Sequence, residues 1–526
     1  MTYTDLIVII VLLSLMVTYT KHALHIFQQN RYEFERYTKW LLNLKNYQLN
    51  DYFVFVAVLF IVDYLSGRYI QKYQTIAILG AVILFTVNNL YLESKKSYIK
   101  PLVYTPRVKR QIACTVVIDI LMVMALYKVL KLDIFVIATV LPLFVWLVIY
   151  LMAIIMLPIE KAINKRFENE GRAILDSMNN LKKIGITGSF GKTSVKNIVE
   201  NIISDHFYTL MTPASYNTPM GITRTIREMM KPIHEVFVCE MGADHVGDIE
   251  YLMDYVKPQI GIVTSIGPQH LNTFHSLENI INEKMKMIEM LDEKGFGVIN
   301  LDNEYIAQYK IKNPVRVVSV GIKNHDADYV AYDIVYDENG SSFKVMIDGE
   351  EYVFETVLLG EHNIMNVLIG IATAFNMGVK PADIQSSVAR IKRIEHRLEL
   401  KKINGYTFID NAFNSNPVGC KLSLDVLKKM HGRRVIVTPG LIDLGEKEYE
   451  YNYDFGLYMK DRADYVLLVG KVQTKPIYDG LMKSGFDSNN IIVFDSVKEA
   501  FDYIYQHFTH EDTILLENDL PDAFSH

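Results

Sequence analysis

Apolar positions are concentrated in the first third of the chain, where they form five long runs. A helix needs about 20 mostly apolar residues to cross a bilayer, and somewhat fewer when flanking side chains reach the interface. The pattern therefore predicts an α-helical membrane domain of about five transmembrane helices over residues 1–157. A soluble helical bundle is the alternative interpretation. The runs are Leu6–Tyr19, Tyr52–Leu65, Thr75–Leu92, Ile112–Tyr127 and Ile134–Leu157.

Basic residues in the connections between the runs favour the membrane interpretation. The four connections carry five, two, six and two lysines or arginines in turn, and this alternation follows the positive-inside rule. It predicts a multi-pass protein of the plasma membrane with its N-terminus outside and everything after Leu157 in the cytoplasm. The segment His22–Leu44 is rich in polar and aromatic residues, which favours an interfacial helix over a lipid-headgroup contact. Asp119 interrupts the fourth run, and a functional role and a helix-to-helix hydrogen bond both remain open for it.

The pattern changes after Pro158, where short apolar strands alternate with amphipathic helices. This alternation is typical of an α/β fold, in which crossover helices connect parallel strands. We expect a central domain over residues 158–392 and a C-terminal, Rossmann-like α/β domain over residues 393–526. Strands are predicted at Lys183–Thr187, Val236–Glu240, Ile260–Ser265, Gly297–Asn300, Thr407–Asp410, Val435–Pro439, Tyr465–Val469, Ile491–Phe494 and Thr513–Leu516, with a strand-rich stretch at Val315–Leu359 and a hairpin turn at Asp337–Ser341.

Composition and charge argue against a nucleic-acid partner and against a disulfide framework or a zinc site. The chain has 526 residues, is 50% hydrophobic and carries a net charge of −6, and this charge gives no support to a nucleic-acid partner. Its three cysteines are far apart in the sequence, so we expect reduced thiols rather than a disulfide framework or a zinc site.

A glycine-rich loop between a predicted strand and a predicted helix carries the first sign of chemistry. It reads Gly188-Ser189-Phe-Gly191-Lys192-Thr193-Ser194. Glycines let backbone N–H groups approach phosphate oxygens, and the helix N-terminus adds partial positive charge. Lys192 would reach the β- and γ-phosphates, and Thr193 would bind magnesium. The standard phosphate-loop spacing is not met because position 186 is isoleucine, so a glycine-rich turn with a solvated lysine is the alternative.

Further motifs follow this loop in order, and together they resemble the Mur ligase family of ATP-dependent amide ligases in peptidoglycan synthesis. The resemblance covers roughly residues 181–444 and implies a central ATPase domain followed by a C-terminal α/β domain. The matching stretches are Ser215-Tyr-Asn217-Thr218, Glu240-Met-Gly-Ala, His270-Leu, Gly360-Glu-His362-Asn363-x-x-Asn366, His396-Arg397-Leu-Glu399 and Asp410-Asn-Ala-Phe-Asn414-Ser-Asn416-Pro417.

The resemblance implies that ATP activates a carboxylate as an acyl phosphate, which an amine then attacks. Catalysis would fall to Lys192, His270 and Lys284. For Asn300 and Asp302 a simple Asx turn is an equal alternative to nucleotide contact. The implied ATP-binding residues are Gly188, Ser189, Gly191, Lys192, Thr193, Ser194, Asn300, Asp302, Asn363, Asn366, Arg397 and Asp410.

The resemblance also implies two magnesium ions. Thr193 and Glu240 would hold the first ion, while His270 and a carbamylated lysine would hold the second. Lys284 is our candidate for carbamylation, with Lys286 as its rival two residues away. The implied substrate contacts are Ser215, Asn217, Thr218, Asn414 and Asn416.

The chain departs from the family pattern at both ends. The predicted membrane spans stand where the family usually has a UDP-binding domain, so we expect either a lipid-linked cell-envelope precursor as acceptor or a small nucleotide-linked one that docks elsewhere. Near the C-terminus the pattern changes where an amino acid or dipeptide donor would bind: Asn452 replaces a histidine, and Leu516–Pro521 replaces a K-G-S-R-like stretch. His396 replaces a glycine before Arg397.

Three functions follow as hypotheses. The first is addition of D-alanyl-D-alanine to a muramoyl tripeptide. The second is attachment of an amino acid or peptide to a lipid-linked or other envelope polymer, with membrane lipid as a further partner. The third, from another class, is an ATP-binding membrane scaffold without turnover.

Overall fold

A computed structural model describes residues 3–42, 54–61, 64–65, 74–95, 101–132, 134–337, 340–412, 416–442 and 444–518. The chain forms two compact units, Met1–Lys165 and Arg166–Leu520. The boundary predicted at residues 392 and 393 lies inside the second unit, and the three predicted domain ranges stay predictions.

All regular structure in the described residues of the first unit is helical. The predicted run Ile134–Leu157 is interrupted by a 3₁₀ turn at Leu141–Phe144, and Pro142 in this turn lacks the N–H of a regular α-helical residue. Residues 54–61 are also helical. The remaining helices are α1 (Tyr3–Gln29), α2 (Phe34–Leu42), α3 (Gln74–Lys95), α4 (Pro106–Lys128), α5 (Ile134–Val140) and α6 (Val145–Ser177).

Two stretches of the described chain are long and apolar enough to cross a membrane, Pro106–Lys128 and Leu141–Ser177. Within α3, Gly80–Leu92 is a shorter apolar segment. Helix α4 also exposes large apolar side chains such as Val116 and Leu121, as a lipid-facing helix does. These features suggest a membrane domain but do not establish how many helices cross the membrane. The five-span topology therefore stays a prediction.

The described part of the second unit contains two β-sheets. The larger sheet has the order β2-β3-β1-β4-β5-β6-β7-β8-β9, and the smaller has the order β10-β11-β15-β12-β13-β14. The α/β class is confirmed, and every predicted strand is present with ends shifted by at most two residues. The predicted parallel pairing holds from β2 to β7, whereas β7, β8 and β9 pair antiparallel, so the sheet is mixed.

Burial explains the difference between the two parts of the larger sheet. Strand β3 is buried at all of its residues, as expected for a central parallel strand covered by helices on both faces. Strand β8 alternates between buried and more exposed residues, which is typical of a sheet with one solvated face. The hairpin is confirmed, since β7 ends at Asp337 and β8 begins at Gly340.

The strands of the second unit run as follows: β1 (Lys182–Thr187), β2 (Thr209–Met211), β3 (Val236–Glu240), β4 (Ile260–Val263), β5 (Phe296–Asn300), β6 (Arg316–Gly321), β7 (Tyr329–Asp337), β8 (Gly340–Ile347), β9 (Glu350–Thr356), β10 (Glu399–Ile403), β11 (Tyr406–Asn411), β12 (Arg434–Thr438), β13 (Tyr465–Val469), β14 (Ile491–Phe494) and β15 (Thr513–Glu517).

Its helices are α7 (Lys192–Ile203), α8 (Pro219–Met229), α9 (Asp248–Val256), α10 (Leu271–Phe274), α11 (Leu277–Glu289), α12 (Glu304–Gln308), α13 (Glu361–Asn376), α14 (Pro381–Ala389), α15 (Gly419–Leu427), α16 (Glu448–Tyr458), α17 (Lys475–Ser484) and α18 (Val497–His507), with 3₁₀ turns at Gly445–Lys447 and Ser488–Asn490.

The close packing of α13 on α7 positions the glycine-rich loop. Helix α13 is buried at most of its residues, and Gly370 on it lets α7 approach. A Cβ at this position would lie 2.7 Å from Ile198 Cγ2 and 2.9 Å from Ile202 Cδ1. Since α7 begins directly after the loop, this contact fixes the direction in which the loop amides point.

Gly370→Val should therefore destabilise the second unit by about 1–3 kcal/mol, because an overpacked core has to shift side chains or backbone. Thermal unfolding of the full-length protein in detergent measures the effect. Gly370→Ala adds only the Cβ and gains helix propensity, so it should lose less. An unchanged unfolding temperature for Gly370→Val would contradict the packing argument.

Candidate active site

The glycine-rich loop lies at the carboxyl end of the parallel strands. Strands β1, β3, β4 and β5 run in the same direction, so the residues that follow them meet at one edge of the sheet. Gly191 has a left-handed φ of +82° and is the N-cap of α7, a conformation that glycine adopts without strain. The Ser189 hydroxyl donates to the Gly267 carbonyl at 2.9 Å and accepts from the Gly267 N–H. The loop is thus tied to the segment after β4.

Two lysines share one backbone carbonyl in this loop. Lys192 Nζ donates to the Gly188 carbonyl at 2.7 Å and to the Ser189 carbonyl at 3.3 Å. Lys284 Nζ donates to the same Gly188 carbonyl at 3.2 Å, and its side chain is 1% exposed. Burial lowers the pKa of Lys192. Burial and the charge of Lys192 lower the pKa of Lys284 to about 7.

The rival lysine lies in different surroundings. Lys286 Nζ is 2.8 Å from a Glu250 carboxylate oxygen and 3.0 Å from a Glu283 carboxylate oxygen. Burial acts to lower the pKa of Lys286, but hydrogen bonds to these two carboxylates outweigh it and raise the pKa. The Lys286 amine is therefore a paired ammonium, and only Lys284 reaches the loop.

Glu240 ends β3 and is 1% exposed. Its Oε1 accepts from Asn217 Nδ2 at 2.9 Å, and its Oε2 lies 3.3 Å from Lys196 Nζ. Lys196 also donates to the Ala214 carbonyl, and burial lowers its pKa. The sequence analysis missed Lys196, although its position one turn after Lys192 places it on the same face of α7.

His270 contacts Asp244, a second residue that the sequence analysis missed. His270 Nε2 is 3.2 Å from Asp244 Oδ1. The Asp244 charge acts to raise the pKa values of both Lys192 and Lys284, so this carboxylate lies close to the loop. Its position in the sequence could have identified Asp244 as a site residue, because it directly follows the Glu240-Met-Gly-Ala motif.

Of the predicted magnesium ligands, Thr193 and Glu240 line one small cavity of about 60 Å³ together with Lys192, Ser215 and Asn217. His270 and Lys284 are not among the residues that line it. In the described residues no three or more histidines, cysteines and carboxylates are grouped to hold a metal. An ion at Thr193 and Glu240 fits the preference of magnesium for a few hard oxygen ligands, completed by phosphate and water.

A cleft of about 330 Å³ adjoins the loop and is lined from both α/β domains. The predicted residues Gly191, Ser194, Asn300, Asp302, Asn366, Arg397 and Asn416 line it, together with His362 and Asn411.

Asn300 and Asp302 both line the cleft and both form turns. The Asn300 Oδ1 accepts from the Asp302 N–H at 3.0 Å, which closes an Asx turn, and Asn300 Nδ2 donates to the Thr264 carbonyl at 3.1 Å. The Asp302 carboxylate accepts from the N–H groups of Ile322 and Lys323. The two interpretations given for this pair are therefore compatible.

The start of α13 supplies one wall of the cleft. Asn366 lies beside the loop, since a Cβ at Gly191 would be 2.9 Å from its Oδ1. Asn363 is buried behind it and donates to the Leu359 carbonyl at 2.9 Å. His362, absent from the predicted site residues, lines the cleft, and burial lowers its pKa to about 4. This imidazole is neutral at physiological pH.

The junction between the two domains has an unusual backbone. His396 has a left-handed φ of +57°, which accounts for the glycine that the family pattern has here. His396 Nδ1 is 2.8 Å from an Asp410 carboxylate oxygen, and Lys401 Nζ is 2.8 Å from the same oxygen. Asp410 thus holds the junction and does not line the cleft. Arg397 lines both the cleft and the small cavity, and burial lowers its pKa.

Among the predicted substrate residues, Ser215 and Asn217 line the small cavity. Thr218 is the N-cap of α8 and its hydroxyl accepts from the Gly221 N–H. Asn414 lies outside the described residues.

Asn416 stabilises the start of α15 and also lines the two cavities. Its Oδ1 accepts from the Val418 N–H at 3.1 Å and from the Gly419 N–H at 2.9 Å, at the start of α15. It also lines both the cleft and the small cavity.

The residues near the C-terminus that differ from the family pattern make hydrogen bonds to neighbouring segments. Asn452 exchanges two 2.9 Å hydrogen bonds with the backbone of Leu441. Glu517 is buried and lies opposite Asn411 in the register of β11 and β15. Asn411 Nδ2 is 3.2 and 3.0 Å from the two Glu517 carboxylate oxygens, and the Ser423 hydroxyl also donates to Glu517. The amide nitrogen of Asn411 thus donates to Glu517. The amide oxygen of Asn411 remains for a contact in the cleft.

Comparison with known proteins matches both α/β domains to family models. Residues 186–374 match the Mur ligase middle domain, and residues 396–517 match the Mur ligase glutamate ligase domain.

Among curated relatives, the UDP-N-acetylmuramoyl-tripeptide--D-alanyl-D-alanine ligase of Bacillus subtilis is 27% identical over 64% of this chain and 72% of its own length. The ligase of that name from Escherichia coli is 27% identical over 55% of this chain and 64% of its own length, which is less than two thirds.

Solved structures share the fold. MurF from Acinetobacter baumannii superposes with a TM-score of 0.62 at 23% identity, over 69% of this chain and 78% of that one. MurF from Thermotoga maritima in complex with ADP superposes with a TM-score of 0.61 at 20% identity, over 68% and 80%.

The Asn411–Glu517 pair yields a prediction. Asn411→Asp would put two carboxylates against each other. We expect it to lower the free energy of unfolding by about 1–3 kcal/mol through the lost buried hydrogen bond and like-charge repulsion. Thermal unfolding of the full-length protein measures this.

The double variant Asn411→Asp, Glu517→Gln restores one amide and one carboxylate with their places exchanged. It should recover most of the lost stability, and the single variant should improve as the pH falls and one carboxyl takes up a proton. Equal unfolding temperatures for the single and double variants would contradict the pairing.

Proposed function

The chain belongs to the Mur ligase family through its middle and C-terminal domains, and we propose that it is an ATP-dependent ligase that joins a carboxylate to an amine in peptidoglycan precursor synthesis. One observation carries the proposal most directly. The loop that holds Lys192 opens into a cleft whose walls come from both matched domains. ATP bound there has its phosphates at the N-terminus of α7.

The reaction runs in two steps. A carboxylate oxygen of the acceptor attacks the γ-phosphorus of ATP, ADP leaves, and an acyl phosphate forms. The amine nitrogen then attacks the carbonyl carbon, phosphate leaves, and the nitrogen loses a proton. Lys192 and Arg397 face the cavity where negative charge builds up on the transferred phosphoryl group, and cations in such a place stabilise the transition state.

Thr193 and Glu240 would hold a magnesium ion beside the phosphates. Bound there, the ion would neutralise phosphate charge and orient the γ-phosphoryl group. Asn217 fixes one oxygen of Glu240, which supports a defined orientation of this carboxylate.

Carbamylated Lys284 is the favoured second-site ligand. Its buried amine has an environment that favours the neutral form, whereas Lys286 is paired with two carboxylates. The neutral amine attacks CO2, loses a proton and becomes an anionic carbamate. This anion would replace the unfavourable approach of two cations at the Gly188 carbonyl with an attraction to Lys192.

For the substrates, we propose D-alanyl-D-alanine as the donor and a muramoyl tripeptide as the acceptor. Relatives from several bacteria carry the name of that activity. The alternative is a lipid-linked acceptor in a plasma-membrane protein with cytoplasmic catalytic domains. The two long apolar helices of the first unit favour this alternative.

Lys192→Ala should lower phosphate release by about 10²–10³-fold, as expected when one stabiliser of the transition state is lost. The assay uses the full-length protein in membranes with ATP and paired acceptor and donor. Lys310→Ala, an exposed lysine of the same domain, is the matched control and should retain activity. Normal turnover in Lys192→Ala would exclude this site. ATP binding without phosphate release for any pair would favour the scaffold.

Lys284→Ala should remove a carbamate signal in the ¹³C NMR spectrum of protein equilibrated with ¹³C-bicarbonate. Lys286→Ala is the matched control and should retain it. Because the pKa of Lys284 is about 7, the neutral amine dominates above that pH, and the signal should weaken as the pH falls below it. A signal that survives in Lys284→Ala would overturn this assignment.

A further inference from the structure

The N-terminal turn of α4 carries a charge pattern that its own helix does not favour. Arg107, Lys109 and Arg110 lie in its first turns, and no acidic residue does. The N-terminus of a helix has partial positive charge and prefers anions. Three cations there call for a compensating negative charge.

One of these cations is already neutralised. The Arg110 guanidinium donates through Nε and Nη2 to the two carboxylate oxygens of Glu160, each at 2.8 Å. Glu160 is 5% exposed, and this fork-to-fork pair uses both of its oxygens. Lys109 is exposed to solvent. Among the described residues Arg107 has no ion pair with a carboxylate, and unlike Lys109 it is partly buried.

Arg107 is held in place by aromatic packing. Its guanidinium carbon lies 3.9 Å from the centre of the Tyr32 ring. Its Nε is buried and makes no hydrogen bond to any residue that the structure describes. A buried guanidinium N–H without an acceptor is costly, and an anionic oxygen would satisfy both the charge and the donor.

Gln28 of α1 builds the platform on which Arg107 rests. Its Nε2 donates to the Tyr32 hydroxyl at 2.9 Å and to the Val103 carbonyl at 3.0 Å, and its Oε1 accepts from the Val103 N–H at 2.9 Å. One side chain thus joins the aromatic ring to the segment that leads into α4. The site is organised before any ligand arrives.

A second side chain faces the same direction one turn later. Gln111 is four residues after Arg107 and shares its helix face. It is 1% exposed, and its Oε1 is buried without a hydrogen-bond partner among the described residues. This observation is independent of the charge pattern and also points to a missing polar ligand.

We propose that Arg107, Gln111 and Tyr32 form a binding site for the phosphate ester of a lipid. Arg107 supplies the cation and donor for a phosphate oxygen, and Gln111 Oε1 accepts a hydrogen bond from a neighbouring hydroxyl of the headgroup. Further along α4, Val116 and Leu121 are exposed and offer apolar contact to acyl chains. Basic pockets between helices at the cytoplasmic face typically bind anionic headgroups.

This inference does not depend on the ligase reaction, and its test needs no turnover. The full-length protein is purified in detergent, and retained phosphatidylglycerol and phosphatidylcholine are counted by native mass spectrometry. We expect one retained phosphatidylglycerol and no comparable phosphatidylcholine. Arg107→Gln should weaken this retention about five- to tenfold.

Two further variants separate a built site from general attraction of basic residues to anionic lipid. Gln111→Leu leaves the charge unchanged and should weaken retention, whereas Lys109→Gln removes an exposed charge from the same turn and should change it least. Equal losses for Lys109→Gln and Arg107→Gln, or no loss for Gln111→Leu, would overturn the proposal. Displacement of the lipid by millimolar inorganic phosphate would also overturn it, since the site would then bind free phosphate.

Discussion

Basic side chains crowd the glycine-rich loop and donate hydrogen bonds to backbone carbonyls there, and the rest of the active site depends on this arrangement. Lys192, Lys284 and Lys196 all donate to backbone carbonyls, which are weak substitutes for anions. The carboxylates whose charges act on these lysines are Glu240, Asp244, Asp248 and Glu283, and Glu283 is already paired with Lys286. Desolvated cations in this state gain much from an anionic ligand. This arrangement supports the proposal that the loop receives phosphate groups, and carbamylation of one lysine would add a negative charge among these basic side chains.

The fold creates this crowding by bringing distant parts of the sequence to one sheet edge. Parallel strands β1, β3 and β4 end beside each other, and α11 delivers Lys284 to the loop from almost a hundred residues away. The C-terminal domain closes the cleft with Asn411, whose orientation depends on Glu517.

Sequence reasoning succeeded where the signal is local. The glycine-rich loop, the strand that precedes it and the helix that follows it were all predicted. Turn-forming residues and hydrophobic periodicity can be recognised from residues that are close in sequence. Sequence reasoning could not decide where the signal is tertiary. Lys284 and Lys286 differ only by which face of α11 is buried, and Lys196 and Asp244 become site residues only when the strand ends meet. The break at Pro142 was also missed, because hydropathy alone does not register a missing N–H.

The central claim is that a phosphoryl group passes from ATP to a carboxylate before the amine attacks. Its most direct test uses a muramoyl tripeptide whose terminal carboxylate carries ¹⁸O in both oxygens, with ATP, D-alanyl-D-alanine and the full-length protein. The released phosphate is analysed by mass spectrometry. An acyl phosphate intermediate predicts one ¹⁸O atom in the phosphate for each amide formed. Amide formation with unlabelled phosphate would contradict the account.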